Sequence, residues 1–210
     1  MLAKEKDNLS REIKILNAAE EEFMAHGYDG AKTTVIATKA GVTHAMLHYY
    51  YRTKENLFNK VFEEKIDLMA QSIFLSFQNS HLHLIDRIKA GIEAHFDFLS
   101  ANPDLPRFVV NELISKPERR RIMEDKIGNI VSNIFIQLQQ ELNKYIDKGI
   151  IRPINVIDLL IDIASLNVFV FVSLPLLRSF AIAPYGNEKD FLIARKKENV
   201  EMIMSRLLIK

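Results

Sequence analysis

Residues 41–57, "GVTHAMLHYYYRTKENL", decide the fold of the first third of the chain. This stretch puts three tyrosines in a row after two histidines, and Arg52 and Lys54 follow directly. Tyrosine rings favour burial, whereas their hydroxyls need water or a hydrogen-bond partner. Adjacent cations add attraction for negative charge. The stretch therefore indicates a surface that meets a polar, anionic partner.

Two short helices are predicted on either side of Gly41, at about residues 33–40 and 43–49. Thr43 is a good N-cap for the second of them, because its hydroxyl can accept from the first turn. A longer helix precedes them at about residues 10–26, with Ser10 as its expected N-cap, and another begins after Thr53. A helix, a short glycine turn and a second helix form the layout that projects the second helix into a DNA major groove.

The rest of the chain continues the helical pattern. It has only seven glycines and six prolines among 210 residues, and hydrophobic residues make up 48%. Apolar residues at helical spacing predict further helices at about 84–101, 105–115, 118–148, 155–177 and 188–208. Asn155 is the expected N-cap of the fourth of these. We therefore predict an all-α fold of about nine helices. Residues 1–53 form a three-helix, helix-turn-helix DNA-binding domain, and residues 54–210 form a helical bundle.

The charge pattern supports DNA contact. Residues 31–54 contain no Asp or Glu, although the whole chain carries a net charge of only +1. The same window holds the cationic or titratable residues Lys32, Lys39, His44, His48, Arg52 and Lys54. A local cationic surface rich in hydroxyls is the footprint expected for phosphate contact. The alternative is a chance fluctuation on a solvated face.

Position on the second short helix assigns the contacts. Residues on its outer, N-terminal side can approach bases, and Ala45 lets the backbone come close to a base edge or a thymine methyl. Tyrosine hydroxyls and Lys54 can meet phosphate oxygens. Tyr51 is assigned a structural role with a satisfied hydroxyl. The predicted contacts from this segment are Thr43, His44, Ala45, His48, Tyr49, Tyr50 and Lys54.

Several classes of protein are excluded. Cysteine is absent, which removes disulfides and thiol catalysis. We find no phosphate-binding loop, HExxH motif, nucleophile elbow or paired catalytic carboxylates, so no enzyme and no cofactor is predicted. The side chains of His81 and His83 in "HLH" diverge on a helix, so no metal site is predicted.

The chain is predicted to be cytoplasmic. Its first residues are charged and lack the apolar run of a secretory signal. The most apolar stretch, Val156–Leu177, contains Asp158 and Asp162, each of which would cost ~2.5–3.5 kcal/mol at a bilayer centre. This helix is therefore expected to be buried or to form an interface, with no role in a membrane.

Residues 27–61, "GYDGAKTTVIATKAGVTHAMLHYYYRTKENLFNKV", resemble the TetR family of one-component transcriptional regulators. The family pattern has an Ile-Ala pair, then Ala-Gly-Val, a Ser or Thr cap, a Leu-Tyr-Tyr-Tyr-Phe-like run and a Lys-Glu-x-Leu helix start. The corresponding residues here are Ile36 and Ala37, residues 40–42, Thr43, residues 47–51 and residues 54–57. Many positions agree in register, over roughly the first third of the chain.

The chain departs from that pattern at two places. Its threonine pair, Thr33 and Thr34, comes later than the Thr-Thr with which many members begin their second helix, and Thr34 stands where an Arg or Lys often occurs. His48 replaces the first tyrosine of the run. Thr33 and Thr34 complete the residues assigned to DNA contact.

The resemblance implies a homodimer whose dimer interface is built from the last two long helices, at about 155–177 and 188–208. The C-terminal domain would hold a small-molecule cavity, and the helix at about 53–80 would link it to the DNA-binding domain. Two recognition helices would read a near-palindromic operator in double-stranded DNA, ~34–36 Å apart. A small apolar or amphipathic effector would release the DNA by favouring a conformation that fits it badly. Repression is the expected direction, and activation stays open.

Candidates for the effector cavity come from the inward faces of the middle helices. They are Phe74, Phe77, His95, Phe98, Asn133, Phe135 and Phe169. The same residues could instead form a packed core. The competing functional hypothesis is a helical small-molecule-binding or interaction protein whose helix-turn-helix has lost DNA binding.

Overall fold

The computed structural model describes the backbone of residues 2–77 and 82–209. It also describes the side chains of these residues, except 2–7, 70, 72–77, 115, 118 and 126–134. Within this part of the chain the long elements are all α-helices, and a short 3₁₀ turn, Ala183–Tyr185, precedes the last of them. The helices are α1 (Leu2–Gly30), α2 (Thr33–Ala40), α3 (His44–Tyr51), α4 (Lys54–Phe77), α5 (Leu84–Ala101), α6 (Leu105–Ser115), α7 (Pro117–Asp147), α8 (Val156–Leu177) and α9 (Glu188–Leu207). The all-α prediction is confirmed.

The chain forms two compact units, Met1–Ile66 with Phe108–Arg120, and Asp67–Arg107 with Arg121–Lys210. Helix α4 contributes its first part to one unit and its last part to the other. The first unit thus includes residues of α6 and α7 that lie far along the sequence. The division into a DNA-binding domain, residues 1–53, and a helical bundle, residues 54–210, stays a prediction.

The first unit has an aromatic core. Phe58 of α4 is fully buried, and its ring centroid lies 4.9 Å from that of Phe23 on α1 and 5.6 Å from that of Phe108 on α6. Aromatic pairs in this range of separations add to the free energy gained from burial. The core fixes α1, α4 and α6 together, and α2 packs against α1 and α3.

The second unit is built on α5, which packs against α8 and α9. Two apolar clusters lie along these helices. The first includes Ile92 and Ile163, and the second includes Phe96, whose ring centroid is 5.1 Å from that of Phe171. Helix α8 is long and apolar enough to cross a membrane by length and composition, a test that core helices also pass. Its buried apolar residues belong to these two clusters.

Most helix boundaries agree with the expected ones to within a residue or two. The exception is α1, which begins at Leu2, so Ser10 lies inside the helix and is not its N-cap. Gly27 interrupts α1 with a φ of 66°, where glycine is favoured. Asn155 caps α8 as predicted, since its Oδ1 accepts from the backbone N–H of Asp158 at 2.8 Å.

Candidate nucleic-acid interface

A sharp turn at Gly41 joins α2 to α3. Gly41 has a φ of 67°, and its N–H donates to the Thr38 carbonyl at 3.1 Å. Thr43 then caps α3, because its Oγ1 accepts from the N–H of Met46 at 3.2 Å. On α3, Leu47 and Tyr51 are buried. The turn and the two buried side chains fix the outward face of α3.

The outward face carries the two histidines. His44 and His48 are both exposed, and their ring centroids lie 4.5 Å apart in an edge-to-face arrangement. The Nε2 of His44 hydrogen-bonds to the hydroxyl of Thr33 at 3.0 Å, which ties α3 to α2. His48 donates from Nδ1 to the Arg52 carbonyl at 2.8 Å. The two imidazoles are therefore held in defined positions on an exposed surface.

The rest of the predicted contact set also lies at the surface. Thr34, Thr43 and Ala45 are exposed, while Thr33 and Lys54 are partly buried. Ala45 follows His44, and its side chain is only a methyl group. The backbone of α3 can therefore come close to a partner at this position. The structure brings the α2 and α3 candidates together in one unit with Lys54 at the start of α4.

The three tyrosines have three different environments. Tyr49 is 73% exposed, which leaves its hydroxyl available to a partner. The Tyr50 hydroxyl donates to Asn8 Oδ1 at 3.1 Å, a contact with α1 that the sequence analysis missed. Tyr51 is buried, as its structural role requires, and its hydroxyl lies beside the carboxylate of Glu12. Burial raises the pKa of Tyr51, and the nearby carboxylates of Glu12 and Glu64 raise it further.

Not every cation of residues 31–54 is equally available. Lys39 Nζ lies 3.4 Å from Glu22 and 3.8 Å from Glu21 of α1, so its charge is largely compensated. Lys54 Nζ lies 4.8 Å from the centroid of the Tyr28 ring and donates to the Asp29 carbonyl at 3.4 Å. An ammonium group has three donors, so Lys54 keeps capacity for a phosphate.

The residues proposed for an effector cavity have varied positions. His95 is buried, and Phe98 and Phe135 are partly buried against the apolar clusters. Phe169 does not point inward: it is 67% exposed, because the buried stripe of α8 runs through residues such as Asn167 and Val170. The side chains of Phe74, Phe77 and Asn133 lie outside those that the structure describes, as does His81.

His95 ends a buried polar chain across three helices. Asn199 of α9 donates to Asn167 Oδ1 on α8 at 3.0 Å, and Asn167 donates to Nδ1 of His95 on α5 at 3.2 Å. Arg195 donates to Asn199 at 2.8 Å. Burial lowers the pKa of His95 from 6.5 to about 4, so the imidazole is neutral at pH 7. Along α5, His95 lies between Ile92 of the first apolar cluster and Phe96 of the second. Along α8, Asn167 likewise lies between Ile163 and Val170.

A surface cleft of about 500 Å³ lies along α5 and α9, and its walls include Phe96, Ser100, Leu192 and Lys196. Of the residues predicted for the effector cavity, those whose side chains the structure describes do not line it. Among the described residues, no group of three or more His, Cys, Asp or Glu side chains is placed to hold a metal ion.

Two relatives that are named as a transcriptional activator and a transcriptional repressor align with part of the chain. The transcriptional activator FasR of Mycolicibacterium smegmatis is 27% identical over 109 residues, which cover 51% of this chain and 49% of FasR. The transcriptional repressor SCO4008 of Streptomyces coelicolor is 30% identical over 104 residues, half of each chain. The chain thus spans about half the length of these curated relatives.

A solved structure is similar over almost the whole chain. It is the transcriptional regulator FadR of Bacillus subtilis, crystallised in complex with stearoyl-CoA. The TM-score is 0.67 at 20% identity, covering 93% of this chain and 98% of FadR. This likeness shows a shared fold.

Two family descriptions match the chain itself. "Bacterial regulatory proteins, tetR family" matches residues 15–61, which include α2, α3 and the start of α4. "Tetracyclin repressor-like, C-terminal domain" matches residues 85–203, more than half of the chain. The chain belongs to the TetR family of bacterial transcriptional regulators.

Proposed function

We propose that this protein is a ligand-responsive, DNA-binding transcriptional regulator that represses from a near-palindromic operator. The observation that carries the proposal is the outward face of α2 and α3. It presents hydroxyls, two ordered imidazoles and a small residue, and residues 31–54 contain no carboxylate side chain. Such a face suits a major groove lined by phosphates. The proposal includes no catalytic step, in keeping with the regulators that the chain resembles.

The proposed contacts divide by role. His44, Ala45 and His48 face the bases, because they lie on the exposed side of α3. Phosphates are contacted by the hydroxyls of Thr33, Thr34, Thr43 and Tyr49 and by the ammonium group of Lys54. Tyr50 supports the face through its bond to Asn8, and its hydroxyl can also accept from a partner.

Selection of bound duplexes from a random DNA pool tests this proposal. The selected duplex is then titrated with protein over a salt series. We expect a near-palindromic consensus and an affinity that falls steeply as salt rises, because each neutralised phosphate releases counterions. Recovery of no consensus by folded protein would contradict the proposal and favour a helical binding protein without DNA affinity.

We further propose that the protein acts as a homodimer through residues 155–177 and 188–208. Support comes from large apolar side chains on these two helices that are more than 40% exposed. They include Ile157, Ile161, Phe169 and Leu176 on α8 and Ile193 and Met202 on α9. Soluble monomers rarely expose so many apolar side chains together, and such patches mark interaction surfaces. A second copy would cover this face and set two α3 helices ~34–36 Å apart, one helical turn of DNA.

The proposed effector is an amphipathic molecule with an apolar chain, such as a fatty acyl-CoA. Two features support this class: the apolar clusters of the second unit, and the fold shared with FadR, whose structure holds stearoyl-CoA. Effector binding would release DNA, since a ligand shifts an equilibrium toward the state it prefers. We place the protein in the cytoplasm, where operator DNA and acyl-CoA are both present.

Titration of the protein–duplex complex with stearoyl-CoA, and with free coenzyme A as control, tests the effector class. Release by the acylated molecule alone supports the proposal, and release by neither would move the search to other amphipathic compounds. A reporter promoter that carries the selected duplex tests the direction of regulation. Lower transcription with the protein present supports repression, and higher transcription would show activation instead.

A further inference from the structure

Arg119, at the start of α7, is a buried cation in the first unit. Its side chain is 2% exposed, and its Nη1 donates to the carboxylate of Glu55 at 2.6 Å and to the side-chain carbonyl of Asn59. Its guanidinium carbon lies 4.2 Å from the centroid of the Phe58 ring. Glu55, Phe58 and Asn59 all belong to the first two turns of α4. The side chain of Arg119 therefore contacts three residues at the start of that helix.

The same guanidinium reaches Tyr28, which lies between the Gly27 break and α2. Its carbon is 5.4 Å from the centroid of the Tyr28 ring, and Lys54 Nζ is 4.8 Å from that centroid. Lys54 also donates to the carbonyl of Asp29, the next residue along the chain. The ring of Tyr28 therefore connects the buried arginine to a lysine that we assign to a DNA phosphate.

Glu112 of α6 completes the arrangement. Its Oε1 accepts from the Tyr28 N–H at 3.4 Å, and its Oε2 lies 3.7 Å from Arg119 Nε. That distance is too long for a hydrogen bond, and both atoms are buried without a hydrogen-bond partner among the described residues. The two groups therefore form an ion pair of buried charges without a direct hydrogen bond, which holds Arg119 between α6 and the start of α4.

The pKa of the Glu55 carboxylate is shifted by these neighbours. Burial alone would raise its pKa, but the Arg119 guanidinium, with the Tyr28 hydroxyl adding to the effect, holds the pKa below its ordinary value. Glu55 is thus charged at neutral pH. Arg119 compensates the charge of this carboxylate, which would otherwise repel a phosphate beside Lys54.

We propose that Arg119 is a positioning residue for DNA binding: by fixing Tyr28 and the first turn of α4, it presents the Lys54 ammonium group to a DNA phosphate. This inference rests on the proposed function. It assigns part of the DNA affinity to a residue more than sixty positions beyond the recognition helix, which does not itself touch DNA.

The test is a double-mutant cycle on the 210-residue chain, using the selected duplex over a salt series. Lys54→Ala should reduce the magnitude of the salt slope by about 1 and raise Kd about tenfold, the size of a charge-assisted hydrogen bond. Arg119→Met should have nearly the same two effects, because it frees Lys54 from its position. In the Lys54→Ala background, Arg119→Met should change neither quantity further.

Arg120→Met is the matched control, since Arg120 is the exposed neighbour on the same helix, and it should leave slope and Kd at their wild-type values. Circular dichroism melts show which variants are folded at the assay temperature. If Arg119→Met does not fold, Arg119→Lys takes its place, because a lysine keeps the charge but lacks the planar guanidinium that lies over the Phe58 and Tyr28 rings.

The outcomes separate the two claims. A wild-type protein that selects no duplex overturns the proposed function, and the inference fails with it. Arg119 variants that bind with the wild-type salt slope, or that lose affinity equally with and without Lys54, overturn the inference alone. Equal loss in both backgrounds is what a merely structural role for Arg119 would give.

Discussion

The Nε2 atom of His44 lies 3.0 Å from the hydroxyl of Thr33, which joins the first residue of α3 to the first residue of α2. The contact orders an exposed imidazole on the face assigned to DNA. It also makes Thr33 a contributor to DNA binding through two routes, its own hydroxyl and the position of His44.

Thr33→Val tests this relationship. The substitution keeps the shape of the side chain and removes the hydroxyl, so we expect a loss of about 1 kcal/mol, or roughly fivefold in Kd, for the selected duplex. Fluorescence anisotropy with labelled duplex measures it. Thr38→Val on the same helix is the control, because that hydroxyl donates to the Thr34 carbonyl of its own helix. Equal effects of the two variants would count against the role of Thr33.

Gly41→Ala should destabilise the protein through its backbone. The φ of 67° is unfavourable for a residue with a Cβ, by about 1–2 kcal/mol, and a Cβ built there meets nothing within 4 Å. The loss is therefore conformational and should be measurable by urea unfolding. Gly41→Asn should be milder, since asparagine tolerates the left-handed region better than alanine. Equal losses for the two variants would point to another cause.

The sequence was sufficient to predict the all-α fold, whereas the role of the α2–α3 face in DNA binding stays a prediction. Helical spacing and caps are local signals, so Thr43 and Asn155 could be assigned correctly as N-caps. Contacts between distant residues leave no such signal, and Arg119 with Glu55 was missed for that reason. Phe169 was placed inward because apolar composition does not tell a core face from an exposed one.

The stability of the protein should depend on His95 between pH 6.5 and 4. Its pKa is depressed from 6.5 to about 4 in the folded state, so the unfolded chain binds more protons in this window. Stability is then full above pH 6.5 and falls as the pH is lowered, by up to about 3 kcal/mol in all.

Urea unfolding at pH 7 and pH 5 measures this dependence. Between the two pH values, the free energy of unfolding of the wild type should fall by about 2 kcal/mol more than that of His95→Gln. The variant has no titrating group at position 95. His83→Gln, at an exposed histidine, should behave as the wild type does. An identical pH dependence in the wild type and His95→Gln would show that His95 does not contribute.

Phe169→Glu should weaken the proposed homodimer. The side chain is 67% exposed on α8, and a carboxylate buried there by a second copy would lack a partner. Sedimentation equilibrium should show a dissociation constant raised at least tenfold, with helicity unchanged. Ile114→Glu is the control, because Ile114 is 74% exposed on α6, away from α8 and α9 in sequence. Loss of the dimer in the control, or its survival in Phe169→Glu, would contradict the assigned interface.

The most direct test of the central claim, that the α2–α3 face and the start of α4 bind DNA, is the affinity of the His48→Ala, Lys54→Ala double variant for the selected duplex. The account predicts that affinity falls at least tenfold, while circular dichroism and sedimentation show an unchanged fold and oligomeric state. A double variant that binds the duplex as tightly as the wild type, at the same salt concentration, would contradict it.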